Sequence, residues 1–185
     1  ADAVIHLAGE NRPKDSSGYE LGNAQLTNKI CMFLTELGTN TPILFTSSTQ
    51  ATLHNEYGIS KKMAETSIEN YSKLKSNSAA IYRLPGVFGK WCKPNYNSVV
   101  ATFCFNIAND LPISVDDPDH LMKLVYIDDV IDSFLEWLRG PFPKGLSRNS
   151  IDPEYKIYLG ELAKIIENFS RSQKSLISDK VGKGF

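Results

Sequence analysis

Three residues of this chain have the types and spacing for proton transfer: Ser48, Tyr57 and Lys61. Tyr57 and Lys61 stand four apart in Tyr57-Gly58-Ile59-Ser60-Lys61, so at a helix start they share one face, a turn apart. Ser48 belongs to Thr46-Ser47-Ser48-Thr49, which ends the apolar run Ile43-Leu44-Phe45. A hydroxyl from a neighbouring strand end can meet the phenol, and the trio can then move a proton to or from a carbonyl or alcohol oxygen. Spacing alone proves little, because Tyr71 and Lys75 repeat it near the end of the same helix. No Ser-rich strand end precedes that second pair, which is read as an amphipathic contact and a solvated charge. Ser47 and Thr49 flank Ser48; by alternation they share one face of the strand and Ser48 takes the other.

The trio needs a strand and a helix to hold it, and the hydrophobic pattern supplies both. Val4 to Leu7 is a short apolar run closed by Ala8-Gly9, consistent with a buried parallel strand. Residues 10–18 read as a loop. Leu26, Ile30, Phe33, Leu34 and Leu37 recur at helical spacing from Glu20 to Leu37, and Gly38 stops them. Ile43–Thr46 and Ala79–Leu84 are the next strands, with the Tyr57 helix running to about Leu74 between them. Strand, helix, strand, helix, strand signals a parallel sheet, whose ligands bind at the carboxyl ends of the strands. Those ends are Ala8-Gly9, Ser47-Ser48 and Pro85-Gly86.

The second half is less regular. Residues 90–97 are a polar and aromatic loop, in which Trp91 suits either a core or a sugar platform. Ser98 can cap a helix carrying Val99, Val100, Phe103 and Ile107. Ile113–Val115 and Leu121–Tyr126 read as strands. Asp128-Asp129 should open a helix with Val130, Ile131, Phe134, Leu135 and Leu138 inward. A strand at Tyr155–Tyr158 and a helix from Leu159 to about Phe169 close the pattern.

Composition excludes several classes. The 185 residues carry a net charge of −1, so nothing steers the chain to nucleic acid or an anionic membrane. No apolar run approaches the length of a membrane span. Cys31, Cys92 and Cys104 lack paired spacing and read as free thiols of a reducing cytoplasm. His6, His54 and His120 form no ligand motif, so no metal is expected; His6 reads as a strand residue, not a catalyst. The chain starts without Met on what reads as a central strand, which suggests a piece of a longer protein.

Together, Val4-Ile5-His6-Leu7-Ala8-Gly9, Ser47-Ser48, Tyr57-x-x-x-Lys61, Arg83-x-x-Gly86-Val87-Phe88-Gly89 and Tyr126-Ile127-Asp128-Asp129-Val130 resemble the extended short-chain dehydrogenase/reductase, or NAD-dependent epimerase/dehydratase, family. Gly9-x-Asn11-Arg12-Pro13, Gln50-Ala51-Thr52 and above all the unusual run Phe88–Val99 look like its bifunctional capsular-polysaccharide members, in which a metal-binding cupin domain follows the reductase domain. The tail from Arg171 looks like the lead-in to such a domain.

The resemblance implies an α/β, Rossmann-like parallel sheet with helices on both faces, without its first strand and Gly-rich turn, plus a small substrate-binding part. Residues 1–89 would be the later portion of the dinucleotide-binding domain and 90–185 mainly the substrate-binding region. It implies hydride transfer between NADPH, with NADH as the alternative, and a UDP-sugar of the 4-keto type. Tyr57 would be the acid, Ser48 would orient the reacting oxygen, and Lys61 would depress the Tyr57 pKa and bind the nicotinamide ribose. Leu7, Ala8, Gly9, Pro85 and Val87 fall at cofactor contacts. Arg12, Lys93, Asn95 and Asn97 are candidates for the sugar diphosphate. Gly86 departs from the Asn that most relatives carry, which puts that one substrate contact in doubt. The full-length protein would be a homodimer, with the Tyr57 helix at the interface. A 4-epimerase or dehydratase of the same family, or a non-catalytic dimerisation fragment, are the alternatives. Thr49 and Gln50 after Ser48 argue against a dehydratase, which commonly adds an acidic residue there.

Overall fold

A computed structural model of the chain describes residues 1–175. In chain order the elements are β1 (Val4–His6), α1 (Ser17–Tyr19), a π-helical stretch (Glu20–Gln25), α2 (Leu26–Glu36), β2 (Ile43–Ser48), α3 (Glu56–Lys73), β3 (Ala79–Leu84), β4 (Gly86–Phe88), α4 (Val99–Ala108), β5 (Leu121–Tyr126), α5 (Ile127–Leu138), β6 (Leu146–Asn149), β7 (Tyr155–Tyr158) and α6 (Leu159–Ser175). One-turn 3-10 segments, Thr49–Thr52 and Leu74–Ser76, follow β2 and α3. The chain forms two compact units, Ala1–Pro85 with Asp128–Asp152, and Gly86–Ile127 with the chain from Pro153 onward. Residue 89, the expected domain limit, falls inside the second of these.

The first unit is built on a parallel sheet of order β1-β2-β3-β6. Ile43, Leu44 and Phe45 of β2 are fully buried, which makes that strand the centre of the unit. Each such side chain contributes about 1.5–3 kcal/mol when buried. On one face Ile43, Phe45, Ala79 and Ile81 meet Cys31 and Leu34 of α2 and Ala64, Ile68 and Tyr71 of α3. On the other, Tyr82 stacks edge-on against Phe134 of α5 at 5.0 Å. Helices therefore cover both faces, as the Rossmann-like expectation requires. The second unit holds a three-stranded sheet, β4-β5-β7, with β5 antiparallel to β7. Phe88 packs there against Tyr126 and Tyr155. Gly89 turns the chain at φ +133, and a Cβ on it would lie 2.5 Å from the Ile127 side chain.

Several expectations need correction. Among the described residues β1 lies at the edge of the sheet with Ile5 exposed, and it ends at His6 rather than Leu7. The helix expected from Glu20 starts at Ser17, and its Phe33 and Leu37 are exposed. Ile131 and Leu135 of α5 point outward as well, and only Val130 and Phe134 are buried. Ile113–Val115 form no strand; the Ser114 hydroxyl instead donates to Asp116, a local bond that competes with sheet pairing. The amphipathic contact expected of Tyr71 is a core one, and its OH donates to the Thr41 carbonyl at 2.7 Å. Helix α3 ends before Lys75, which has φ 53, so Tyr71 and Lys75 never share a helical face. The expected lead-in from Arg171 begins inside α6, and its part beyond residue 175 lies outside the described residues.

Candidate active site

Ser48 closes β2 and caps the 3-10 turn behind it, its Oγ accepting the Gln50 N–H at 3.1 Å. Helix α3 starts eight residues on, where the Asn55 side chain accepts the Gly58 N–H at 2.7 Å. Strand and helix thus deliver Ser48, Tyr57 and Lys61 to one place. The Ser48 side chain lies close enough to the Tyr57 phenol to pull its pKa down. The Lys61 ammonium donates to the Thr46 carbonyl at 3.2 Å and lies 6.0 Å from the Tyr57 ring centre. Ser47 is engaged elsewhere, donating to the buried Glu65 carboxylate at 2.6 Å. Thr49 is an exposed residue of the 3-10 turn.

The electrostatics differ from the expectation in one respect. Burial raises the Tyr57 pKa above its ordinary value; the Ser48 hydrogen bond lowers it and nearby Tyr19 raises it. The net shift is upward, where a fall was expected. Lys61 is itself driven down to about 8 by burial, against an upward pull from Glu65. The upward shift keeps the Tyr57 phenol protonated at neutral pH.

Leu7, Ala8 and Gly9 form an exposed loop directly after β1. A Cβ on Gly9 would stand 2.9 Å from the Lys61 Nζ and 2.7 Å from the Asn23 Oδ1, so only glycine leaves this backbone bare beside the ammonium. Asn23, in the π-helical stretch, was missed in the sequence. Its side chain exchanges two hydrogen bonds with the Glu10 backbone and donates to the Ser60 Oγ at 3.0 Å. Ser60 in turn donates to the Tyr57 carbonyl. The loop after β1 is thereby tied to the first turn of α3. The sequence signal was Gly22-Asn23, two weak helix formers inside a helical run.

His6 is a buried strand residue, as expected, with its Nε2 2.9 Å from the Thr27 hydroxyl. Arg12 is exposed near the β1 loop, and Pro85 follows β3. Val87, Lys93, Asn95 and Asn97 belong to the second unit. There Val87 pairs with Val125, Lys93 lies over the Tyr96 ring, and the Asn95 N–H donates to Thr102. Trp91 is 98% exposed at φ 65, which removes its core reading.

A parallel sheet with a hydroxyl at one strand end and a Tyr-x-x-x-Lys helix beside it defines a class, and the comparisons agree. Residues 1–145 match the NAD dependent epimerase/dehydratase family, and the chain belongs to that family. It is 43% identical over 183 residues to the UDP-2-acetamido-2,6-beta-L-arabino-hexul-4-ose reductase of Pseudomonas aeruginosa, a match covering 99% of this chain and 49% of that protein. It is similar to the solved capsular polysaccharide assembling protein CapF from Staphylococcus aureus, with a TM-score of 0.80 and 36% identity over 95% of this chain and 46% of that one. This agrees with the capsular-polysaccharide resemblance carried by Phe88–Val99. A UDP-glucuronic acid 4-epimerase from Bacillus cereus, solved with NAD, gives a TM-score of 0.79 over 91% of this chain and 60% of that one; at 19% identity the likeness is one of fold. The chain spans about half the length of the first two relatives. No helix among the described residues is long and apolar enough to cross a membrane.

Proposed function

We propose that this chain is part of an oxidoreductase that uses NADPH to reduce a 4-keto-type UDP-sugar for a bacterial capsular or surface polysaccharide. The observation that carries the proposal is the 43% identity, across 99% of the chain, to a reductase of such a sugar. The site fits a nicotinamide cofactor, because Gly9 leaves bare backbone next to a buried ammonium. Leu7, Ala8, Gly9, Pro85 and Val87 would hold it, with Lys61 on its ribose. Bound there, the cofactor supplies the hydride. NADH is the alternative donor.

The chain's own groups do the rest. Ser48 orients the carbonyl oxygen of the sugar by hydrogen bonding. Tyr57 gives its phenolic proton to that oxygen as the carbonyl carbon is reduced, and regains it from solvent. The raised pKa of Tyr57 suits this direction, since a phenol must hold its proton to donate it. Arg12, Lys93, Asn95 and Asn97 are the proposed contacts to the sugar diphosphate. A homodimer is proposed through α2 and α3, supported by exposed Met32 on the first and exposed Ile59 and Met63 on the second. The unpaired Cys31, Cys92 and Cys104 support a cytoplasmic setting.

The test uses a protein extended to the length of its relatives, with NADPH oxidation followed on a 4-keto UDP-sugar. Tyr57→Phe should slow reduction roughly 10²–10⁴-fold and leave NADPH affinity within about twofold. An unslowed Y57F overturns the catalytic assignment. A wild-type protein that inverts the sugar without net use of NADPH is an epimerase instead.

A further inference from the structure

Glu65 sits one turn beyond Lys61 on α3 with its side chain at 0% exposure. Ser47 Oγ donates to its Oε1 at 2.6 Å, Arg83 Nε donates to Oε1 at 2.8 Å, and Arg83 Nη2 donates to Oε2 at 2.7 Å. Lys62 Nζ reaches Oε2 at 3.4 Å. A bare carboxylate is costly in a core, so a charge kept there needs a partner geometry of this quality. Burial alone would raise the Glu65 pKa; the bonds and charges from Arg83, Ser47 and Lys62 reverse that, and the group stays ionised.

What the carboxylate joins is more informative than its charge. Ser47 is the residue before Ser48. Arg83 lies opposite Ser47 in the β2–β3 register, two residues before Pro85. Glu65 itself stands on the helix of Tyr57 and Lys61, two turns and one turn away. A single side chain therefore fixes the ends of β2 and β3 against α3, at the points from which the candidate groups project. We propose that Glu65 is a positioning residue, which through Ser47 and Arg83 sets the distance from Ser48 to Tyr57 and Lys61. This rests on the reductase reading above.

Stability alone does not require an ion pair here, since apolar residues of similar volume commonly hold such a place as well or better. That provides the test. In the protein extended as above, Ser47→Ala should lower kcat several-fold, and Glu65→Gln about 10–100-fold, with NADPH affinity within about threefold of wild type. The double variant Glu65→Met with Arg83→Met should recover the thermal midpoint and keep the low kcat. A double variant and an S47A that both turn over at the wild-type rate would show a purely structural pair.

A second readout needs no turnover. Lys61 is faced by Tyr57 and Glu65 on its own helix and by His6 on β1; Tyr19 of α1 faces Tyr57, and Lys62 and Arg83 face Glu65. Side-chain NMR titration of Lys61 should move to lower pH in E65Q, because the one carboxylate favouring the ammonium is gone. An unmoved midpoint overturns the coupling. A wild-type protein that fails to reduce the sugar counts against the reductase reading alone, whereas an unmoved Lys61 midpoint in E65Q counts against Glu65.

Discussion

Lys61 is held in place against its own preference for water. Its ammonium has an ordinary pKa of 10.5 and sits at about 8 in the fold. Between these values the unfolded chain binds more protons than the folded one, so stability rises with pH from about 8 to 10.5. Below pH 8 the full penalty applies, on the order of 3 kcal/mol. Lys61→Met should therefore raise the melting temperature at pH 7 while abolishing reduction, and the gain should fade above pH 10; calorimetry across pH would show it. His6 gives the acid counterpart. Burial first, and then the Lys61 charge, lowers its pKa from 6.5 to about 4. The unfolded chain again binds the extra proton, so stability is complete above 6.5 and is lost as pH falls towards 4. His6→Gln should flatten that part of the pH–stability curve. The trio was legible in the sequence because residue type and context coincided at Ser48. Glu65 was not, since a glutamate on a helix reads as a solvated charge and only the fold shows it buried. The direction of the Tyr57 shift was also hidden: sequence reveals a cation four residues away, and burial depends on everything else.

At the scale of elements, the site depends on how closely α3 approaches the turn after Ser48. A Cβ on Gly58 would fall 2.3 Å from the Gln50 carbonyl oxygen and 2.7 Å from that of Leu53, both rigid backbone. Gly58→Ala should cost about 1–3 kcal/mol or more by overpacking, seen as a lower denaturant midpoint, and should part Ser48 from Tyr57 with a drop in kcat. A wild-type midpoint in this variant would mean the turn can yield. Gly9→Ala would press on the hydrogen-bonded Asn23 Oδ1 and Lys61 Nζ, side-chain atoms rather than backbone; it should fold and weaken NADPH binding. Strands β2 and β3 were readable from short apolar runs, and helix α3 from its Tyr57-x-x-x-Lys61 start rather than from an apolar period. β6 was not: Leu146-Ser147-Arg148-Asn149 is short and polar, and it becomes a strand only because β3 offers an edge. The exposed Phe33 and Ile131 show the opposite failure, in which helical periodicity finds the helix and overstates the width of its buried face.

At the scale of the whole molecule, Ile59→Glu with Met63→Glu should convert the proposed dimer to a monomer in sedimentation, with the far-UV spectrum intact. The 185-residue chain alone should bind NADPH weakly and the extended protein firmly, as calorimetric titration would measure. Tight binding by the chain alone would make the added length dispensable for the cofactor. The interleaving of the two units has a consequence for the nascent protein. β6 pairs with β3, yet residues 85–145 are made between them. At ordinary synthesis rates that leaves one flank of β3 unpaired for roughly 3–12 s after it leaves the ribosome. For that interval the half-made sheet is a template for strands of other chains. Translation speed across this segment, and any chaperone that shields it, should set how much of the protein escapes aggregation.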